Sequence, residues 1–114
     1  MLEFWPASES AFAQLDSTDK QVSLRFEVFV AGIELMNGWQ EETCSSTIQN
    51  RLEKTNIIRT SFEKQKLPLP NRLLAVHDSM PEGVGVALGF DRLVMLASGA
   101  DSIDAVRYFN SDNS

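Results

Sequence analysis

The strongest hydrophobic pattern of the sequence lies between residues 24 and 37. Two runs rich in β-branched and aromatic residues, Leu24–Val30 and Ile33–Asn37, are separated only by Ala31-Gly32. A two-residue link between such runs is typical of a tight β-hairpin. The pattern therefore predicts a hairpin as the central element of the fold.

Three other segments predict shorter strands. Phe4 and Trp5 are predicted to be the end of a strand. The strand stops at Pro6, because proline cannot continue a central ladder. The segment Ala11–Leu15 predicts a second short strand, and the apolar segment Val84–Gly89 predicts a buried one. With the hairpin, these strands indicate a mainly antiparallel sheet.

Helical spacing begins after the hairpin. A long helix is expected to be capped by Thr43 or Ser45 and to end before Pro68 and Pro70. Its apolar side consists of Ile48, Leu52, Thr55, Ile58 and Phe62. A shorter helix begins at Pro70 or Asn71, and its apolar side consists of Leu73, Leu74, Val76 and Met80.

Two more helices complete the predicted fold. One helix is predicted at Asp91–Ala97, after a turn at residues 81–83 and the glycine-rich strand. Gly99 ends this helix. A last short helix, Ile103–Tyr108, is capped by Asp101 or Ser102. The order of strands, helices, strand and helix predicts an α+β fold, with a mainly antiparallel sheet and flanking helices.

Composition narrows the classes of function. The chain has 114 residues, of which 43% are hydrophobic, so it is one domain or part of one. No apolar run approaches the roughly 20 residues of a membrane span, and the first residues lack a secretory signal pattern. A formal charge of −6 with 10 dispersed basic residues makes tRNA an unlikely partner. A single cysteine, Cys44, excludes an internal disulfide and fits a cytoplasmic location.

Two glutamates of the hairpin are candidate metal ligands. Glu27 and Phe29 share one face of the first strand, and Glu34 joins that face as the partner of Phe29. Two carboxylates at a diagonal of roughly 7 Å can hold a divalent cation such as Mg²⁺. The alternative is a solvent-exposed polar face, which is the commoner pattern in sheets.

Further polar residues follow on the second strand of the hairpin. Asn37, Trp39 and Glu41 share one parity, whereas Glu34 has the opposite one. If all four line one pocket, a bulge or break must lie between Glu34 and Trp39, and Gly38 makes irregular backbone plausible there. We predict that break; a straight ladder from Glu34 to Glu41 would contradict it.

Glycines mark the segment around the last strand. Gly83, Gly85 and Gly89 lie in and beside this strand, and Asp91-Arg92 then opens a helix. Such a density of glycine indicates close approach by a ligand or by another backbone. A helix N-terminus with an arginine in its first turn attracts phosphate oxygens. Tight packing of strand on helix, with Arg92 in a surface ion pair, explains the same residues equally well.

These residues together resemble two signatures of class II aminoacyl-tRNA synthetases. Gly85–Leu96 resembles their motif 3, here at residues 83–96, and Arg25–Glu41 resembles the preceding strand pair of lysyl-tRNA synthetases. The resemblance covers residues 4–109 and is strongest to the elongation factor P–lysine ligase family. It implies that residues 1–109 are the C-terminal part of a class II catalytic domain, followed by a disordered tail at 110–114.

The resemblance implies roles in binding the nucleotide. Glu27 and Glu34 would bind the Mg²⁺ ions that accompany ATP. Arg92 would hold the γ-phosphate and act as the catalytic arginine, while Gly89 would let the nucleotide approach the backbone. The implied reaction is attack of an amino-acid carboxylate on the α-phosphate of ATP, which gives an aminoacyl-adenylate and pyrophosphate.

The resemblance also implies roles in binding the amino acid. Asn37 and Glu41 would hold the substrate, with Glu41 facing its side-chain ammonium. Trp39 would pack on the substrate stem at a position where phenylalanine is usual. Ala87 resembles the ligase family, since lysyl-tRNA synthetases usually have glycine there. The implied substrate is lysine or β-lysine, and the implied acceptor is a lysine of elongation factor P.

The sequence departs from the family by lacking counterparts of motifs 1 and 2. No arginine precedes Arg25, so we expect this chain alone to make little adenylate. Exposed sheet edges are expected to favour association, for example as a homodimer. Two alternatives stay open: a lysyl-tRNA synthetase fragment that charges tRNA, and a truncated non-catalytic chain that binds nucleotide or assembles with a partner.

Other residues are predicted to be structural. His77 is expected to be a surface or packing histidine, and Cys44 a neighbour of a helix cap and not a nucleophile. Arg51 and Arg59 are expected on a solvated helix face. Three methionines are expected in the core, namely Met36, Met80 and Met95.

Overall fold

The computed structural model describes residues 1–109, so the predicted tail at 110–114 lies outside the described residues. The strands are β1 (Trp5–Pro6), β2 (Val22–Ser23), β3 (Arg25–Val30), β4 (Ile33–Gln40) and β5 (Val84–Leu88). The helices are α1 (Ser45–Ser61), α2 (Asn71–His77) and α3 (Phe90–Ser98), with short 3₁₀ helices at Ala7–Glu9 and Ile103–Ala105. Every strand pair is antiparallel, in a β1-β2 sheet and a β3-β4-β5 sheet. The predicted α+β class is confirmed.

β3 and β4 form the predicted hairpin. Val30 pairs with Ile33 and Phe29 pairs with Glu34, as the two-residue loop requires. Ala31 and Gly32 have φ angles of 50° and 80°, the left-handed values expected at both central positions of such a turn. The hairpin is therefore set by its turn residues.

An additional residue interrupts the ladder of the hairpin. Phe29 pairs with Glu34 but Val28 pairs with Met36, which leaves Leu35 as an additional residue on β4. The predicted break between Glu34 and Trp39 is confirmed, and it lies at Leu35. Because one inserted residue reverses the faces of all that follow, the two halves of β4 change parity here.

Gly38 has a different role from the one expected of it. It pairs regularly with Phe26 on one side and with Val86 on the other. A Cβ atom at this position would lie 2.5 Å from Val86 Cγ2 and 2.6 Å from Phe26 Cζ. Glycine is needed at residue 38 because two side chains close over it, and not because the backbone breaks.

The glycine-rich strand β5 lies at an edge of the sheet. Among the described residues it pairs with β4 alone, and its apolar side chains are exposed: Val84 by 69%, Val86 by 56% and Leu88 by 42%. The prediction of a buried strand is therefore wrong. The apolar pattern is present, but in the described chain no further element covers this strand.

The expected strand at residues 11–15 is also wrong. Only two isolated bridges form, from Ala13 to Glu41 and from Leu15 to Ser23. Ala11 has a φ of 49°, and the N–H of Ala13 donates to the carbonyl of Ser10 at 2.7 Å. The backbone turns at this point, so it cannot extend into a ladder.

Helix α1 ends at Ser61, before both prolines, as predicted. The predicted caps, Thr43 and Ser45, are wrong, because Cys44 occupies the N-cap position and makes no side-chain cap. The backbone N–H of Ser45 donates instead to Asp78 Oδ1 at 2.7 Å. The carboxylate that follows α2 thus satisfies the start of α1.

The faces of α1 are covered unevenly. Ile48 is fully buried, whereas Ile58 and Phe62, on the same predicted apolar side, are 58% and 71% exposed. Arg51 Nη1 donates to the carbonyl oxygens of Ala11 at 2.9 Å and Ala13 at 2.7 Å. The expectation of a solvated Arg51 is wrong, since residues 11–13 pack over this turn.

The remaining helices follow their predictions more closely. α2 begins after Pro70, although Met80 lies beyond its end. Gly99 closes α3 with a φ of 68°, as expected for a left-handed C-terminal glycine. The last predicted helix is too long: only the 3₁₀ turn Ile103–Ala105 forms.

The core of the described chain is small. Its buried apolar residues are Ala13, Leu35, Ile48 and Met95. The other two methionines expected there, Met36 and Met80, are half-buried. The radius of gyration is 17.5 Å, whereas a compact domain of this length has about 13 Å. None of the helices in residues 1–109 has both the length and the apolar character to cross a membrane.

Candidate functional site

The bulge at Leu35 brings the predicted site residues to one face of the sheet. Residues that pair directly across an antiparallel ladder point to the same side. Glu27 pairs with Asn37, which pairs in turn with Ala87. Arg25 pairs with Trp39 in the next row of the same face. Without the additional residue, Glu34 and Asn37 would point to opposite sides.

Arg25 organises this face, although the sequence assigned it no role. Its Nη2 donates to Glu27 Oε1 at 2.6 Å, and its Nε donates to Asn37 Oδ1 at 3.3 Å. Nη1 donates to the carbonyl of Glu9 at 3.0 Å, and the ring of Trp5 stacks on the guanidinium at 4.5 Å. The alternation of Arg25 with Glu27, and the position of Glu27 across from Asn37, are the features that could have indicated this contact.

The amide of Asn37 is held at both ends. Its Oδ1 accepts from Arg25, and its Nδ2 donates to Glu27 Oε1 at 3.4 Å. Glu27 is only 6% exposed, and Arg25 is its ion-pair partner. The two hydrogen bonds of the Asn37 amide leave one amide hydrogen and one oxygen lone pair of Asn37 for a ligand.

Glu41 lies at the end of the same face. Its Oε2 accepts a hydrogen bond from the indole N–H of Trp39 at 2.8 Å. Its Oε1 would lie 3.3 Å from a Cβ atom at residue 85, so Gly85 allows the carboxylate to approach β5. The predicted amino-acid residues Asn37, Trp39 and Glu41 thus form one half-buried group.

Glu34, Gly89 and Arg92 meet at the other end of β4. Arg92 Nη1 donates to the carbonyl oxygen of Glu34 at 2.6 Å. Gly89 donates its N–H to the carbonyl of Leu35, and a Cβ at residue 89 would lie 3.2 Å from Arg92 Cδ. Glycine at this position therefore lets Arg92 fold back against the strand.

The first turn of α3 also contains an acidic residue. Asp91 Oδ2 accepts from Arg107 Nε at 2.8 Å, and both side chains are nearly half exposed. Arg107 compensates the one negative charge in a position that would otherwise repel anions. Arg107 could not be predicted from local patterns, because the fold alone brings it to Asp91.

The predicted site residues fall into two groups by exposure. Asn37, Trp39 and Glu41 are half-buried and bound to neighbouring side chains. Ala87 and Arg92 are exposed at the edge strand and on α3. Exposure therefore does not divide the face by ligand, because Ala87, predicted to contact the amino acid, is exposed, whereas Glu27, predicted to bind the metal, is buried.

His77 fits the packing role expected of it, whereas Cys44, expected beside the helix cap, is itself the N-cap residue. His77 is 2% exposed, and its Nε2 lies 2.5 Å from the carbonyl oxygen of Glu42. It is a packing histidine. Cys44 occupies the N-cap of α1 and is exposed; hydrogen bonding with Ser46 lowers the pKa of its thiol.

Comparison with known proteins identifies the family pattern. A family model described as class II tRNA synthetases (D, K and N) matches residues 2–113. The chain is 44% identical to an elongation factor P–(R)-β-lysine ligase of Salmonella arizonae, over 95% of this chain and 34% of the relative. A protein of the same name from Histophilus somni is 40% identical over the same shares. The chain thus spans about a third of the length of these curated relatives.

A solved structure supports the fold. The aspartyl tRNA synthetase from Entamoeba histolytica matches with a TM-score of 0.72 and 21% sequence identity. The match covers 96% of this chain and 21% of that one. At this identity the likeness concerns the arrangement of strands and helices alone.

Proposed function

Because this chain belongs to the class II tRNA synthetases of the D, K and N group, we propose that it carries part of the active site of an ATP-dependent ligase. The proposed substrate is lysine or β-lysine, which is activated as an aminoacyl-adenylate and transferred to a lysine of elongation factor P. Relatives named as elongation factor P–(R)-β-lysine ligases support this choice of substrate and acceptor. The family resemblance seen in the two sequence signatures is confirmed; the reaction steps are proposed.

The observation that carries the proposal is the polar face that the Leu35 bulge assembles. It combines an amide, a carboxylate and an indole, at Asn37, Glu41 and Trp39. An amino acid with a side-chain ammonium needs a carboxylate for that charge and an apolar surface for its stem. In the proposed complex, Glu41 faces the ammonium, Trp39 packs on the stem, Asn37 binds a polar group, and Ala87 forms the neighbouring wall.

The nucleotide end carries fewer fixed contacts. Arg92 uses one N–H on the Glu34 carbonyl, and its exposed guanidinium has further donors for phosphate oxygens. The missing Cβ of Gly89 leaves the space in which Arg92 lies against the strand. We propose that Arg92 binds the γ-phosphate of ATP and neutralises charge as pyrophosphate leaves, which is catalysis by positioning and electrostatics.

The two proposed magnesium ligands fit unequally. Glu27 Oε1 is already paired with Arg25, and residues 1–109 contain no cluster of three metal-ligating side chains. Glu34 makes no ion pair in the same range. Mg²⁺ commonly takes one or two carboxylates and completes its shell with water and phosphate oxygens. We therefore assign the main contact to Glu34, and a contact from Glu27 only when Arg25 turns away.

The alternatives are weighed on two observations. A lysyl-tRNA synthetase fragment must bind tRNA, and a net charge of −6 opposes that contact. A non-catalytic chain is favoured by the exposed nucleotide end, where Arg92 faces solvent. This second alternative predicts binding of ligands without adenylate formation.

Binding to the isolated chain tests the proposal. In ¹⁵N-resolved NMR titrations, lysine or β-lysine is expected to shift the Trp39 indole signal, and ATP with Mg²⁺ is expected to shift the amides of residues 89–92. Arg92→Ala should weaken ATP binding by about tenfold, the low end for a hydrogen bond to a charged group. Arg72→Ala, at an exposed arginine of α2, is the matched control.

Three outcomes separate the candidates. Equal ATP affinity for Arg92→Ala and the control would remove Arg92 from the nucleotide site. No response to either amino acid would overturn the proposed substrate. Incorporation of labelled pyrophosphate into ATP by the chain, with lysine or β-lysine present, would exclude the non-catalytic alternative.

A further inference from the structure

The two tryptophans of the chain differ in what their indole N–H groups do. Trp39 donates its N–H to Glu41 Oε2 at 2.8 Å. The N–H of Trp5 is buried and has no partner among the described residues. The ring of Trp5 stacks on Arg25, and Trp39 pairs with Arg25 across the strands. Of the two tryptophans, Trp39 is therefore the one that donates a hydrogen bond to a carboxylate.

The hydrogen bond makes the two oxygens of Glu41 unequal. Oε2 has a lone pair engaged by the indole, and Oε1 points toward the open side of Gly85. A free glutamate rotates about its terminal torsion with little preference. The indole donor and the missing Cβ at residue 85 together hold this carboxylate in one orientation.

We propose that Trp39 is a positioning residue that fixes Glu41, so that the site selects an amino acid whose ammonium reaches Oε1. This inference rests on the proposed function, since it takes an ammonium group as the ligand of Glu41. It adds a role that packing on the substrate stem does not require. A phenylalanine in place of Trp39 provides the same kind of apolar surface but cannot donate a hydrogen bond.

The Trp39→Phe variant separates the two roles. It keeps an aromatic ring and removes only the donor and part of the ring. Loss of the hydrogen bond frees the carboxylate, so the affinity for lysine and β-lysine is expected to fall by about tenfold. Norleucine, which has the lysine stem without the ammonium, should bind both proteins equally weakly. Trp5→Phe is the matched control, because the N–H it removes has no hydrogen-bond partner within residues 1–109.

The experiment measures binding of lysine, β-lysine and norleucine to the wild-type chain and both variants by NMR titration. A second readout needs no ligand: Glu41→Gln should move the indole proton signal of Trp39 and leave that of Trp5 in place. A merely structural role of Trp39 would change all three ligands alike, or none.

The outcomes are distinguishable. Weaker binding of the two ammonium ligands alone, confined to Trp39→Phe, supports the inference. Unchanged binding in Trp39→Phe, or an indole signal insensitive to Glu41→Gln, overturns it while the proposed function stands. Failure of the wild-type chain to bind either ammonium ligand overturns the proposed function, and the ammonium selection with it.

Discussion

The hairpin β3–β4 and the helical arm α1–α2 differ in how they treat their side chains. On the hairpin, polar groups are bound to one another, as in the contacts of Arg25 with Glu27 and Asn37. On the helical arm, apolar groups face solvent. Ile57 is 67% exposed and Val76 is 57% exposed. A groove of about 670 Å³ also opens between α1 and residues 7–15.

This difference shows which part of the candidate site is stabilised by contacts within the chain. A buried polar network is specific only if its members satisfy one another, and the hairpin network does so within residues 1–41. Exposed apolar faces instead mark surfaces suited to contact with other protein. The amino-acid end of the candidate site should therefore keep its geometry even where the helical arm is loosely packed.

The largest effect is expected from breaking the hairpin network at Arg25. Arg25→Met leaves the Glu27 carboxylate buried without its partner, because Glu27 is only 6% exposed. Removing one member of a buried ion pair costs about 3 kcal/mol. Urea unfolding of the variant should show a correspondingly lower free energy of unfolding.

The double variant Arg25→Met with Glu27→Gln is the control for this prediction. Since the unpaired charge is gone, it should be more stable than Arg25→Met alone. Equal stability of the single and double variants would show that the pair is solvated. The contrast between the two regions would then lose its main support.

A second prediction concerns the contact that holds β5 on the hairpin. Gly38→Ala places a Cβ 2.5 Å from Val86 Cγ2 and 2.8 Å from the carbonyl of Gly85. Overpacking of this kind costs about 1–3 kcal/mol. Gly83→Ala is the matched control, because a Cβ there meets no atom of residues 1–109 within 4 Å. If both variants unfold at the same urea concentration, β5 is not packed tightly on β4.

The same two regions explain how much the sequence could predict. Turn chemistry at Ala31-Gly32 fixes the hairpin, and parity alone required an irregularity after Glu34. The position of that irregularity could not be predicted, because residue type favoured Gly38 and nothing in the pattern marked Leu35 as a bulge. Gly38 is explained only by Phe26 and Val86, which the fold places on either side of it.

The wrong predictions share a physical cause. An apolar pattern indicates which face of an element can be buried. It does not indicate whether another element covers that face, as the exposed Val86 and Phe62 show. A cap predicted from neighbouring residues cannot anticipate a carboxylate from elsewhere in the chain, as with Asp78 at the start of α1. Long-range pairs such as Arg92 with the Glu34 carbonyl are likewise absent from local patterns.

The smallest effect is expected in the helical arm, at the carboxylate that caps α1. Hydrogen bonds from the backbone N–H and then the hydroxyl of Ser45 lower the pKa of Asp78 below its ordinary value of 3.8. A carboxylate whose pKa is depressed by folding stabilises the fold above its unfolded pKa, and this contribution is lost as pH falls through the folded value. Because Asp78 is exposed, the loss should be confined to the first turn of α1.

Amide exchange at Ser45 should therefore become faster as pH falls below 3.8, after correction for the intrinsic rate. Asp78→Asn, which cannot titrate, should remove this dependence, and the hairpin amides should not respond to the substitution. A pH-dependent change at Ser45 that persists in Asp78→Asn would assign it to another group.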